Sequence, residues 1–420
     1  MTNTATARQA AMPLDTDFIR SQFPAFREPS LDGWAFFENA GGSYICQQVL
    51  DRLLTFYTQT KVQPYYPYPA STEAGKRMDE SYARLSDYLN VGEDELNFGP
   101  STSQNVYVLA QALRPMWQDG DEIIVSCQNH EGNSGAWRRL ENQGIVVRDW
   151  HIDEKTGRLA ADDLDEIITA RTRLITFPHA SNVVAHINPV QEIAAKAHDA
   201  GAIVAVDGVS FAPHGLPDIQ ELNADIYLFS LYKTWGPHLG AMFVKRALMR
   251  QMANQSHYYN DDDCHYRLTP AGPDHAQIAA AAGVADYLDV VYAHHFDNDP
   301  ASAVKGRKLQ QLFSDHETAL LVPLLDFLKA RSDVLIVGPD DPGIRASTVT
   351  ILPLEKPVPA VAAELEKQKL MVASGDFDGI RQLNEMKINE DPGVIRMSFL
   401  HYTTRDEIDR LIHGLTIALK

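Results

Sequence analysis

Cysteine is scarce. The three among 420 residues, Cys46, Cys127 and Cys264, share no metal-ligand spacing and are too few for a disulfide framework. That scarcity fits a reducing compartment, so the chain is expected in the cytoplasm. Basic residues are in deficit: 37 Lys and Arg against 56 Asp and Glu leave a net charge of −19. A surface this acidic repels polyanions, which argues against nucleic acid as a partner. No apolar run approaches the roughly 20 residues of a membrane helix, so no membrane role is expected. The first residues, MTNTATARQAAMPLDTDF, lack an apolar h-region and carry Asp15 and Asp17. They read as neither a signal nor a transit peptide. Internal repeats, low-complexity tracts and Gly/Ser linkers are also missing, so the parts of the chain are expected to pack together.

What is present is an ordinary globular balance, 45% hydrophobic and 22% charged, which excludes a disordered or fibrous chain. The length suits two or three domains. After a polar start and a short helix at Asp15–Phe23, stopped by Pro24, short apolar runs alternate with longer amphipathic ones. The strand candidates are Glu95–Phe98, Glu122–Ser126, Val146–Trp150, Arg173–Phe177, Ile203–Asp207, Ile226–Phe229 and Ala241–Val244. Helical patterns such as Val190–Ala200 lie between them. This rhythm predicts an α/β fold with a mostly parallel seven-stranded sheet flanked by helices. Near residue 300 the pattern changes. A long helix at Ala301–Arg331 leads to strands at Val334–Val337, Thr348–Ile351, Met371–Ser374 and Val394–Phe399, with helices at Val358–Gln368 and Arg405–Leu419. We therefore expect a large domain over 33–299, a smaller α+β domain over 300–420, and a segment 1–32 packing with the latter.

Two strands end in chemistry. Ile203–Val206 runs into Asp207, and Ile226–Phe229 into Ser230-Leu-Tyr-Lys233, followed by Thr234-Trp-Gly236-Pro-His-Leu-Gly240. Open α/β sheets bind ligands at such carboxyl ends. An acid and an amine across one crevice suggest pyridoxal 5'-phosphate (PLP), with Lys233 as the Schiff-base lysine and Asp207 pairing the pyridine nitrogen. Burial is expected to lower the lysine's pKa. Taken singly, Asp207 reads as a turn cap and Lys233 as an exposed lysine; together they argue for the cofactor.

The series Ser181-Asn182-Val183…Ile187-Asn-Pro-Val190, Val206-Asp207-Gly208, Phe229-Ser230-x-x-Lys233…Gly236-Pro237 and Val394-Ile-Arg396-Met-Ser398-Phe-Leu-His401-Tyr-Thr-Thr404 resembles class V of the PLP-dependent aminotransferases (fold type I). Within it the chain looks most like the cysteine desulfurase branch, from about Phe36 onward. The resemblance implies further roles. His130 would lie on the cofactor ring and relay protons. Thr102 and Ser103 would open a phosphate-binding helix running to Leu113. Asn182 and Ser210 would approach the phenolic oxygen, and Ser230 and Tyr232 the phosphate. Arg396 would grip the substrate carboxylate, beside an Asn39-Ala40-Gly41-Gly42 turn. A capping or surface histidine starting a helix at Asn133–Gln143 is the plainer reading of His130, and a surface ion pair that of Arg396.

The chain also departs from that branch. The stretch Met371–Ile380, where desulfurases carry a thiol, has no cysteine. Gly272 stands where relatives place a threonine that reaches the partner's phosphate. Val62-Gln-Pro-Tyr65-Tyr66-Pro-Tyr68-Pro-Ala70 is either a stiff aromatic pocket wall or a rigid surface or dimer contact. Asp261-Asp-Asp-Cys264-His265 mixes hard and soft ligands and reads as a solvated loop. The expected enzyme acts on an α-amino acid through Lys233, cleaving a Cβ substituent in the manner of a desulfurase, selenocysteine lyase or aspartate β-decarboxylase, without a cysteine persulfide. Transamination and epimerisation are the alternatives, and a non-catalytic binding protein of this fold is another. A homodimer with the site at its interface is expected.

Overall fold

A computed structural model describes residues 13–264 and 266–420. Thirteen strands are formed among the described residues: β1 Ala35–Phe36, β2 Leu96–Gly99, β3 Glu122–Ser126, β4 Val146–Trp150, β5 Thr172–Pro178, β6 Ile203–Asp207, β7 Ile226–Ser230, β8 Gly240–Val244, β9 Val334–Val337, β10 Thr348–Pro353, β11 Leu370–Met371, β12 Ala373–Gly375 and β13 Val394–Ser398. Seven make the large sheet, in the order β2-β8-β7-β6-β5-β3-β4. Every pairing is parallel except those of β8 with β2 and β7, as the α/β rhythm predicts. β3, β7 and β8 are buried residue by residue, which is why they read as continuous apolar runs. Order reverses between β3 and β5, so a ligand crevice is due at the carboxyl ends there.

The second sheet, β12-β13-β10-β9, is antiparallel. Its core joins Val349, Ile351, Ile395 and Met397 to Leu411 and Leu415 of the helix Arg405–Ala418. The helix Ser302–Lys329 links the two cores. Its Leu309 and Phe313 pack on the large sheet's side and its Leu320 to Leu328 on the other. β1 pairs in parallel with β11, and Ala35 and Phe37 bury in the C-terminal core. The strip of N-terminal chain packing there thus runs past residue 32. Residues 1–12 of that segment lie outside the described residues. Phe23 meets Tyr402 edge-on at 4.8 Å, and Arg20 binds Glu407 at 3.0 Å.

Two expected elements differ. Met371–Ser374 is not one strand: Val372 breaks it, with β11 joining β1 and β12 joining β13. The helix at Asn133–Gln143 is only one short turn, Gly135–Arg138, between two 3₁₀ turns. Its two bulky apolar residues, Trp137 and Leu140, still bury. The helices Gln47–Gln59 and Pro69–Leu89 flank His275–His295, which is alanine-rich and buried on most sides. Among the described residues no helix is long and apolar enough to cross a membrane.

Candidate active site

The carboxyl ends of β2, β3, β5, β6 and β7 share one edge of the sheet, and each delivers a side chain to one cavity of about 150 Å³. All nine residues expected around the cofactor line it: Thr102, Ser103, His130, Asn182, Asp207, Ser210, Ser230, Tyr232 and Lys233. Asp207 is the last residue of β6, and its Oδ1 accepts from the Val209 N–H at 2.9 Å. Burial raises its carboxyl pKa, against the pull of that N–H and of His130 and Lys233. Lys233 ends the 3₁₀ turn that follows β7. Trp235 completes this bend with a left-handed backbone, φ 57°. That conformation is strained for a bulky residue, and its fully buried ring holds it between Tyr287, Phe313 and His401. The Lys233 amine forms no ion pair or hydrogen bond among the described residues. Burial, with the Arg396 charge, brings its ammonium down to about 8, although Asp207 pulls the other way.

At the opposite wall the helix Thr102–Leu113 begins. Ser101 caps it, accepting from the Gln104 N–H at 3.2 Å. The Thr102 Oγ1 is buried with no partner. Gly240, the first residue of β8, lets that strand press on the helix start: a Cβ there would overlap the Ser101–Thr102 peptide. His238 enters the same cavity and stacks on Tyr232 at 5.0 Å. His130 is fixed at both nitrogens. Nδ1 accepts from the Gly132 N–H at 2.9 Å, and Nε2 lies 3.2 Å from the Asp378 carboxylate. Burial and the Lys233 charge lower its pKa, favouring neutral imidazole.

Arg396 comes from β13 in the smaller sheet and is almost wholly buried. Its Nη2 binds Glu38 Oε1 at 2.9 Å, its Nη1 donates to the Asn182 carbonyl at 3.3 Å, and its Nε has no partner. The guanidinium lies 3.9 Å above the Phe377 ring. Glu38 folds over Gly41, where a Cβ would collide with its carboxylate. Gly41 and Ala40 therefore lie beside Arg396 rather than in the cavity wall; the Ala40 N–H donates to Ser398 Oγ at 2.7 Å. The loop Asp376–Gly379 spans the two halves. Its Phe377 carbonyl accepts from Asn182 Nδ2 at 2.8 Å, and its Asp378 carbonyl from the Glu131 N–H at 2.9 Å.

His238, Glu38, Phe377 and Asp378 were not singled out from the sequence. His238 and the two loop residues stand inside the motifs quoted, but only the folded contacts mark them. Tyr65, Tyr66 and Tyr68 are half exposed and do not line this cavity. Gly272 borders a neighbouring cavity that also touches His238. Asp261–Asp263 are exposed, as a solvated loop requires; His265 lies outside the described residues.

The arrangement fits PLP on its own chemistry. An unpaired buried hydroxyl and free helix N–H groups suit a dianionic phosphate, a buried acid suits the ring nitrogen, and an unpartnered amine stands between them. The family model for Aminotransferase class-V matches residues 35–411. The chain belongs to that family. It is a PLP-dependent enzyme related to the cysteine desulfurases. The aminotransferase-like protein FGM3 of Gibberella zeae is 30% identical over 96% of this chain and 98% of its own length. The cysteine desulfurase-like protein ustD of Aspergillus flavus is 28% identical over 95% and 90%. The solved cysteine desulfurase CsdA of Escherichia coli shares the fold, with a TM-score of 0.82 at 22% identity over 97% of this chain and 99% of that one.

Proposed function

We propose that this enzyme removes a substituent from Cβ of an α-amino acid, with Lys233 as proton carrier and no persulfide on any of its cysteines. The observation that carries this reading is the loop Asp376–Gly379. It reaches His130, Asn182 and Arg396 with Phe377 and Asp378 and brings no thiol. Cys46 and Cys127 are buried, and Cys264 belongs to a separate loop. A group that departs without thiol attack and leaves the bonding electrons on Cβ, such as CO2 from a carboxylate, SO2 from a sulfinate or elemental selenium from a selenol, is what such a site accommodates.

Bound PLP supplies the electron sink into which a bond at Cα breaks. The rest is the protein's work. Asp207 has one oxygen engaged by Val209, leaving the other to hold a proton on the ring nitrogen. Thr102, Ser103, Ser230 and Tyr232 would hold the phosphate, with Asn182 and Ser210 towards the phenolic oxygen. With both its nitrogens engaged, His130 would offer its ring face to the cofactor. Lys233, with its ammonium near 8, can hold or return a proton close to neutral pH. Arg396 binds the α-carboxylate through a planar fork, next to Ala40 and Gly41. An incoming carboxylate would displace that of Glu38, which takes the Nη2 arm of the guanidinium in the free site.

A cytoplasmic homodimer is the setting we infer. Supporting the dimer is the family, whose members typically act as homodimers. The test is a panel of aspartate, cysteine and cysteine sulfinate given to the holoenzyme and scored for products. Alanine without 2-oxo acid is expected. Stoichiometric pyridoxamine phosphate with 2-oxo acid, or an inverted isomer alone, overturns the proposal.

A further inference from the structure

Outside the site just described, three potential ligands of three different kinds converge from three elements. Cys127 follows β3, His151 follows β4, and Glu385 ends the helix Ile380–Glu385. One ligand atom from each, the Cys127 Sγ, the His151 Nδ1 and a Glu385 carboxylate oxygen, lie within 4.8 Å of one another. No other such group occurs among the described residues. The placement is held by the backbone: the Cys127 N–H donates to the Trp150 carbonyl at 2.9 Å, and the Ile152 N–H to Glu385 Oε2 at 2.9 Å. Glu385 Oε1 lies 2.6 Å from His151 Nδ1, and that nitrogen lies 3.9 Å from Cys127 Sγ.

The geometry points to a divalent-cation site of zinc type built from Cys127, His151 and Glu385, with its fourth position open to solvent. Thiolate, imidazole and carboxylate together suit Zn²⁺ or Co²⁺ and not Mg²⁺ or Ca²⁺, which prefer all-oxygen shells. With metal–ligand distances of about 2.0–2.3 Å, tetrahedral neighbours stand roughly 3.3–3.8 Å apart. The present spacings bracket that range, so modest side-chain adjustment completes the shell. His151 has a side chain 72% exposed, so it can make that adjustment and leaves the ion a route in from solvent. The Cys127 Sγ is buried at the floor.

Burial and the Glu385 charge push the free thiol's pKa well up. Binding at neutral pH therefore displaces the thiol proton to solvent: the S–H bond is lost, an S–metal bond forms, and no electron is transferred. The ion would also act at a distance. Glu385 lies on the helix that follows the Asp376–Gly379 loop, and Cys127 lies three residues before His130. A bound metal would fasten that helix to the ends of β3 and β4 and favour the loop contacts described above. This inference does not depend on which reaction the enzyme performs.

The test is titration of chelator-treated holoenzyme with Co²⁺, read in the red part of the visible spectrum, away from the cofactor band. One equivalent of cobalt is expected to give the intense bands of four-coordinate Co²⁺, with Zn²⁺ displacing it and Mg²⁺ without effect. Cys127→Ser should abolish the bands. His151→Ala, a change at an exposed position that leaves folding intact, should weaken binding by at least about ten-fold. Cys264→Ser should change nothing. Absent bands, bands that survive both Cys127→Ser and His151→Ala, or equal competition by Mg²⁺ would overturn the site.

Discussion

The two halves of the active site are built on different principles. On the large-sheet side, Asp207 and Ser230 are the last residues of β6 and β7, and Lys233, His130 and Asn182 follow their strands within a few residues. The backbones of Asp207 and Ser230 lie in the sheet ladder, and the other three stand a few residues beyond it. On the other side, Arg396 sits within β13, but what it faces is a loop, with Phe377 and Asp378 both in the left-handed region at φ 55° and 54°. The first half has the rigidity that proton transfer needs. The second has contacts that can be made and broken: a partly exposed Glu38, a ring under a guanidinium, and a carboxylate on a half-buried histidine. On the proposed function, the contrast assigns the chemistry to the sheet edge and the choice of substrate to the loop and β13.

The sharpest way to break that division is Lys233→Ala. If the strand-end amine is the proton carrier, turnover should fall by at least about 10³-fold, and the yellow absorption of the resting holoenzyme should vanish while cofactor can still be retained. A variant that keeps both would place the chemistry elsewhere. Next in size is Arg396→Lys. An ammonium cannot reproduce the planar fork, so KM for the amino acid should rise by about 10- to 100-fold, the cost of one charged hydrogen bond. Turnover at saturation should change far less. An equal loss in both parameters would mean that the second half takes part in chemistry.

Much of the first half was legible in the sequence because it obeys strong local rules. An apolar run ending in an acid, and another ending near a lysine, mark strand ends whatever the tertiary context. Four strands, β3, β4, β6 and β9, begin and end where the apolar pattern places them. The second half was less legible because its contacts join residues far apart in the chain. Glu38 and Arg396 are 358 positions apart, and nothing in the local pattern of either announces the other. β11 and β12 were merged for the same reason: which sheet each joins depends on β1 and β13, not on their own residues. Trp137 and Leu140 supply a helix-like spacing, yet Gly132, Gly135 and Gly144 leave little regular helix around them.

The rigidity of the sheet half has a cost that pH can expose. The Lys233 ammonium is held near 8, below its unfolded value of about 10.4. Between those values the unfolded chain binds more protons than the folded one, so stability rises with pH through that window, and below pH 8 the full penalty is present. In the PLP-free protein, Lys233→Met should therefore be the more stable form by about 3 kcal/mol at pH 7, the advantage shrinking to about 1 kcal/mol by pH 9.5. Urea unfolding at the two pH values measures this. An advantage that does not shrink with pH would mean that the gain comes from packing and not from a buried charge.

The smallest effect should come from the loop's own ion pair. Asp378 is largely exposed, with a side chain 69% accessible, against 32% for His130. Solvent screens such a pair to within about 1 kcal/mol, so Asp378→Asn should lower kcat/KM by no more than about five-fold. Its direction on the pH profile is more informative than its size. Asp378 raises the His130 pKa against burial and Lys233, which lower it; removing the charge should move an acid limb governed by His130 to still lower pH. A limb that moves upward, or a loss as large as that of Arg396→Lys, would show that the loop positions reacting atoms, and the division between rigid chemistry and adjustable selection would have to be redrawn with Asp378 on the catalytic side.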